Sequence, residues 1–187
     1  MSDNELDALI ARTADGDAEG LRGLYDALGS AVYAVARAVT GDRHLAEDVL
    51  QDVFVQVYLK ARTYRRKGRP RAWVIRIARN HAISTLRKRR REMPGYGASN
   101  TEDSRAAGSE AWPDAMDMSK ALGDLTPTER DVVLLSVVGE LSNREVAGVL
   151  GIPLGSVSWR YRAAMDKLRD RLSGSGGWKG VQHAWNG

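Results

Sequence analysis

The 187-residue chain contains no cysteine. That excludes disulfides, thiolate metal sites and cysteine nucleophiles, and it suits a reducing compartment such as the cytoplasm. Proline is scarce while Ala, Leu, Arg and Val abound, a balance that favours an all-helical protein. There is no long apolar run, and the acidic start MSDNELDALIARTADGD reads as neither a signal peptide nor a membrane span. Catalytic constellations are missing too. His44, His81 and His183 have no neighbouring ligand pattern, no glycine-rich phosphate loop follows a strand, and no nucleophile sits beside a base. Glu47, Asp48 and Asp52 could suggest a metal, but contiguous acids on an exposed helix are ordinarily solvated. No catalysis, metal or cofactor is expected.

One further absence is local. Residues 62–91 contain no acid and 13 basic side chains. The segments around them balance differently: −6 over 1–61, −5 over 92–118 and +2 over 119–187, for a net charge of +4. Such a block repels itself, so a polyanionic partner explains it better than a merely solvated face. Nucleic acid is the natural candidate.

Leu21, Leu24, Tyr25, Leu28, Val32, Val35 and Val39 recur at three- and four-residue steps, one buried helical face between Asp17 and Val39. Gly41 breaks the pattern and Asp42 can cap a second helix, about 43–61, burying Leu45, Val49, Val53, Val57 and Ala61. Its other face carries Glu47, Asp48, Gln51, Asp52 and Gln56. After the loop TYRRKGR, Pro70 opens a third helix, about 70–91, with Trp73, Ile77 and Leu86 inward and RKRRR at its end. Residues 92–118 have no sustained period and read as an acidic linker; extended, they could reach about 90 Å, so the flanking modules need not touch.

The second module, 119–172, opens with a capping box of Thr126 and Glu129 around Pro127, and its helix runs through Val132, Val133, Leu135 and Val138 to Gly139. A second box, Ser142 with Glu145, starts the short helix REVAGVLG. Gly151 ends it, the turn IPLG follows, and a basic helix carries Val157, Tyr161, Ala164, Leu168 and Leu172 inward. Short helix, glycine turn and longer basic helix make a helix-turn-helix. Residues 173–187 read as a flexible tail whose Trp178 and Trp185 could dock or fray.

In a helix-turn-helix the second helix enters the major groove. That places Ser156, Ser158, Trp159, Arg160 and Ala163 towards DNA, with Arg160 suited to guanine or phosphate and Arg162 and Lys167 to phosphates. Trp159 could contact sugar or a thymine methyl, or pack on a basic residue of the first module. In the first module Arg76, Arg79, Arg87 and Arg90 form a stripe beside a loop holding Tyr64, Arg65, Arg66, Lys67 and Arg69. Basic residues with aromatics among them suit single-stranded or opened DNA, although a plain core role for Trp73 is equally open.

LAEDVLQDVFVQVY, RAWVIRIARNHAISTLRKRRR and LTPTERDVVLLSVVGELSNREVAGVLGIPLGSVSWRYRAAMDKLRDRL, in that order, resemble the extracytoplasmic-function (ECF) sigma factors of bacterial RNA polymerase. The resemblance implies two small helical domains: 1–91 for polymerase binding and −10 recognition and melting, and 119–172 for −35 recognition. It implies that Asp48, Gln51, Asp52 and Gln56 grip core RNA polymerase. The basic helix and loop, with Asn80 towards non-template DNA, would open the −10 element, and the helix-turn-helix would read −35. It also allows for an anti-sigma partner covering both modules. Three places depart from the family. Pro70 stands where phenylalanine is common, Ser158–Trp159 where a basic residue and serine are, and Ala163 where arginine is frequent. An autonomous helix-turn-helix regulator would need a dimerisation or effector domain that the length does not supply, and a purely protein-binding module leaves the basic block unexplained.

Overall fold

The structure, a computed structural model, describes residues 1–65, 68–93 and 123–173, with side chains as far as Arg171. The expected linker beyond Met93, the tail, Leu172 as a core side chain, and Arg66 and Lys67 lie outside the described residues. Among the described residues every regular element is helical.

The acidic start forms a helix, α1 (Asp3–Ala14), that the charge pattern concealed. The Ser2 N–H donates to Glu5 Oε2 at 2.6 Å and the Glu5 N–H to Ser2 Oγ at 3.4 Å, while Leu6 and Ile10, one turn apart, are completely buried. A sharp corner leads into α2 (Ala18–Thr40), capped by Asp17, which accepts from the Glu19 N–H at 2.9 Å. Only glycine fits at that corner: a Cβ on Gly20 would stand 2.7 Å from the Thr13 nitrogen and 2.8 Å from Arg12 Cβ. Leu24, Leu28, Val32 and Val35 are fully buried as their spacing predicts, each stabilising the fold by roughly 1.5–3 kcal/mol. Tyr25, expected inward, is instead exposed at the rim, its ring 4.9 Å from that of Phe54.

Asp42 caps α3 (Arg43–Lys60) through the Leu45 N–H at 2.9 Å, and a 3₁₀ turn, Ala61–Thr63, continues it. Val49, Val53, Val57 and Ala61 are buried, while Leu45 is only half-buried. Helix α4 (Pro70–Glu92) starts on Pro70 as expected, but its buried stripe is displaced. Val74, Ile75, Ala78 and Ala82 are fully enclosed, whereas Trp73, Ile77 and Leu86 are half-buried. Alanine at 78 and 82 lets α4 lie close against α2 and α3, so the bulkier residues move to the rim. Helices α1 to α4 form one bundle centred on α2.

In the second module α5 (Pro127–Val133) opens with the expected box: the Thr126 N–H donates to Glu129 Oε2 at 2.8 Å, and the Glu129 N–H to Thr126 Oγ1 at 3.3 Å. It continues not as a regular helix to Gly139 but as a π-helical stretch, Leu134–Val138, closed by the Gly139 N–H on the Leu134 carbonyl. Glu140 then takes a left-handed backbone, φ 53°, the one non-glycine residue with positive φ among those described. At the start of α6 (Asn143–Leu150) the Ser142 N–H and hydroxyl both donate to Glu145 Oε2, at 2.8 and 2.6 Å. Gly151, at φ 68°, turns the chain towards α7 (Leu154–Ser173). Val157, Ala164 and Leu168 of α7 are buried.

The modules, which the length of the linker does not require to touch, are in contact. The π-helical stretch packs on α2 and α6 on α4. Leu134, Leu135, Leu141 and Val146 belong to the same apolar cluster as the core of the first module.

Candidate functional site

Three surfaces carry the expected site residues. On α3, Asp48, Gln51 and Asp52 are exposed and Gln56 is half-exposed. Between them stand two residues the sequence reading passed over, Val55 and Leu59, 55% and 61% exposed. At about 3.6 residues per turn, positions 48, 52, 55 and 59 fall on one face. Their signal was available: Val55 and Leu59 are out of phase with the buried Val49, Val53 and Val57. An apolar centre ringed by acids and amides is the anatomy of a protein-binding patch.

The outer side of α4 forms two adjoining grooves. One, of about 810 Å³, is lined by Arg79, Asn80, Ile83, Ser84, Arg87, Arg90 and Arg91. The other, of about 410 Å³, is lined by Gln56, Lys60, Trp73, Arg76, Ile77, Asn80, His81 and Ser84. Asn80 and Ser84 belong to both, so a continuous basic trough runs along the helix. The expected stripe of Arg76, Arg79, Asn80, Arg87 and Arg90 is thus brought together, and Lys60 and Arg91 join it. His81 links this trough to the α3 face: its Nε2 lies 3.0 Å from Asp52 Oδ2.

The loop before α4 is placed less simply. Arg65 and Arg69 are exposed. Tyr64 is half-buried, its hydroxyl donating to Asp7 Oδ1 at 2.7 Å and its ring 4.9 Å from that of Trp73. Burial and the adjacent carboxylate push its ionisation well above the ordinary tyrosine range. This ring pair anchors α1 to the loop, a contact that a composition-based search for stacking aromatics does not anticipate.

In the helix-turn-helix, Ser158, Trp159 and Arg162 are exposed, and Ser156, Arg160 and Ala163 are half-exposed. Trp159 is 54% accessible, and the Arg160 guanidinium carbon lies 4.4 Å from the centre of its ring. Arg160 Nη1 also reaches the Ser156 carbonyl at 3.4 Å, and the Asn143 amide donates to Ser158 Oγ at 3.4 Å. The start of α7 is thereby held as a set surface. Lys167, expected at a phosphate, also has a partner within the chain. Its ammonium donates to both carboxylate oxygens of Glu129, at 2.9 and 2.8 Å. Glu129 is buried, and Lys167 together with the Thr126 backbone holds its carboxyl below the usual carboxylate range. A buried capping carboxylate needs a counter-charge, and Lys167, three turns along α7, supplies it.

Two family descriptions match the chain: Sigma-70 region 2 over residues 24–92 and Sigma-70 region 4 over residues 121–170. ECF RNA polymerase sigma factor RpoE of Cereibacter sphaeroides is 31% identical over 131 residues, covering 68% of this chain and 72% of the relative. The chain belongs to the ECF RNA polymerase sigma factors. The ECF sigma factor SigK of Mycobacterium ulcerans is 28% identical over 92% of this chain and 96% of its own length. Among solved structures, CnrH in complex with the cytosolic domain of CnrY aligns with a TM-score of 0.67 at 27% identity, over 91% of this chain and 98% of CnrH. The sigma factor RpoE from Bartonella quintana, in complex with the anti-sigma factor NepR, shares the fold at a TM-score of 0.64 and 24% identity, over 81% of this chain and 96% of that chain.

As an ECF sigma factor the chain works with RNA polymerase and directs promoter-specific transcription initiation on DNA. Sigma factors are regulatory, non-catalytic proteins. Among the described residues no helix is long and apolar enough to cross a membrane, and no group of three or more histidines and acids is arranged to hold a metal.

Proposed function

We propose that the three surfaces divide the work of initiation. The outer face of α3, with Asp48, Gln51, Asp52 and Gln56 around Val55 and Leu59, grips core polymerase. The trough on α4, with Arg76, Arg79, Asn80, Arg87 and Arg90, takes the opened −10 strand together with the loop of Tyr64, Arg65, Arg66, Lys67 and Arg69. The start of α7, with Ser156, Ser158, Trp159, Arg160 and Arg162, reads −35, and Lys167 supports it from within the module. The corresponding domains are 1–91 and 119–172, joined by the linker 92–118 and followed by the tail 173–187.

The observation that carries this reading is the basic trough beside the ringed apolar patch. Arginines that line a groove too open for a small ligand suit a polymeric phosphate backbone, and the patch suits a protein. One body thus offers DNA and protein adjoining but separate faces. The chain acts in the cytoplasm and catalyses nothing itself. An anti-sigma partner is part of the reading. CnrH, similar over 91% of this chain, was solved with the cytosolic domain of CnrY, and the α3 patch offers such a partner an apolar foothold.

Transcription by purified core polymerase on a promoter library, with and without this chain, tests the assignment. Promoter-dependent transcripts are expected only with the chain present, and they should be lost when Arg87 and Arg90 are both replaced by alanine. Transcripts unaffected by that pair would remove the trough from the mechanism.

A further inference from the structure

The loop before α4 carries Arg65, Arg66, Lys67 and Arg69 within five residues. Like charges so close repel one another, so the loop needs an anchor outside itself. Helix α1 supplies it at two points. Arg62 Nε donates to the Ala14 carbonyl at 3.0 Å, at the carboxy-terminal end of α1. In the first half of α1, Asp7 Oδ1 accepts from the Tyr64 hydroxyl at 2.7 Å. The backbone N–H of Arg69 is hydrogen-bonded to the same hydroxyl. A single oxygen thus ties the two ends of the loop to each other and to α1, which Leu6 and Ile10 fix in the bundle.

The tether reaches the trough as well. The Tyr64 ring lies 4.9 Å from that of Trp73, and Trp73 forms part of the wall of the smaller groove on α4.

We propose that Asp7 is a positioning residue for promoter opening: through the Tyr64 hydroxyl it holds the basic loop and the Trp73 wall in the arrangement that receives the separated −10 strand. The inference rests on the assignment of that loop and trough to the opened strand. Asp7 is half-buried, and its carboxylate would repel a phosphate, so it acts on the loop and not on the strand. The gain is preorganisation. A loop already ordered does not lose conformational freedom when the strand arrives.

Asp7→Leu, Asp7→Asn, Tyr64→Phe and the double variant Asp7→Leu with Tyr64→Phe test this in the full chain assembled with core polymerase. Tyr64→Phe keeps the ring against Trp73 and removes only the hydroxyl. Permanganate reactivity of −10 thymines and initial transcription rates are followed on a duplex promoter selected from the library. The same promoter left unpaired across −10 is the comparison, since opening is then already done. Melting temperatures and core affinities are measured alongside.

On the duplex, Asp7→Leu and Tyr64→Phe should each open the promoter roughly threefold to tenfold more slowly, the effect of one lost hydrogen bond. Asp7→Asn keeps an acceptor for the hydroxyl and should recover most of the loss. The double variant should be no slower than either single one, because both remove the same bond. On the unpaired template all four should transcribe as the wild type does.

Equal losses on the two templates would assign these residues to stability or assembly and overturn the proposal. So would losses that multiply in the double variant, or an asparagine no better than leucine. Separately, wild-type opening by Arg65→Ala with Arg69→Ala would show that the loop does not meet DNA, a failure of the underlying reading rather than of the tether.

Discussion

His81 Nε2 stands 3.0 Å from Asp52 Oδ2 and ties the face of α3 that we propose meets polymerase to helix α4, which we propose meets DNA. The pair is partly solvated, so its contribution to stability is small, about 0–1 kcal/mol. Its consequence is orientation: Asp52 is held in one direction on the exposed side of α3. His81→Leu should weaken core binding about twofold to fivefold with the melting temperature nearly unchanged, and His81→Gln, which keeps a donor, should recover part of the loss. Fluorescence titration of labelled chain with core polymerase measures both; equal affinities throughout would leave the pair without a role in assembly.

Val55 and Leu59 are the apolar centre of the α3 patch. Val55→Asp or Leu59→Asp should reduce core affinity by at least about tenfold, the behaviour of a central interface residue. Neither change should cost much stability, since both side chains already lie largely in water. Asp48→Arg with Gln51→Ala should weaken binding less. Co-elution with core polymerase ranks the three, and a larger loss from the rim pair would mean that charge, not apolar burial, holds the complex.

Glu129 makes the second module sensitive to acid. Its carboxyl is held below the ordinary range, chiefly by the Lys167 hydrogen bond and then by the Thr126 backbone. A lowered folded-state value means that the stabilisation is complete above the unfolded carboxylate range, about pH 4.3, and is lost as pH falls through the folded value. Lys167→Met leaves that carboxylate buried without a counter-charge and should destabilise by about 1–3 kcal/mol at neutral pH. Thermal melts between pH 7 and pH 3 should show a smaller acid-induced loss in Glu129→Gln than in the wild type; parallel curves would contradict this.

Arg160 and Lys167 should part company in promoter selection. Replacing Arg160 should change preference at one −35 position by about 1–3 kcal/mol. Replacing Lys167 should lower stability and leave base preference as it was. Selection from a randomised −35 element separates the two, and a uniform loss across all sequences for Arg160 would mark it as a phosphate contact instead.

Much of this could be read from the residues, because it depends on local chemistry. Caps at Asp42, Thr126 and Ser142, the glycine stops at Gly41 and Gly151, and the stripe of Leu24, Leu28, Val32 and Val35 are set by neighbours in sequence. Failures came where a distant partner decides. The α1 helix has only two fully buried apolar anchors, and Gly20 against Thr13 fixes its place. The buried stripe of α4 shifted because Ala78 and Ala82 allow close packing. The partners of Tyr64 and Lys167 within the chain, Asp7 and Glu129, lie 57 and 38 residues away and gave no local signal. The joining of the modules through Arg79 and Asp131 had no local signal whatever.

Glu140 sets two kinds of fitness against each other. A left-handed backbone at a residue with a Cβ is strained by roughly 1–2 kcal/mol, and glycine is the usual way to relieve it. A Glu140→Gly exchange would ease the backbone and in the same step delete the carboxylate that holds Arg71. The backbone relief gained by that exchange is set against the loss of an ion pair that joins the two modules.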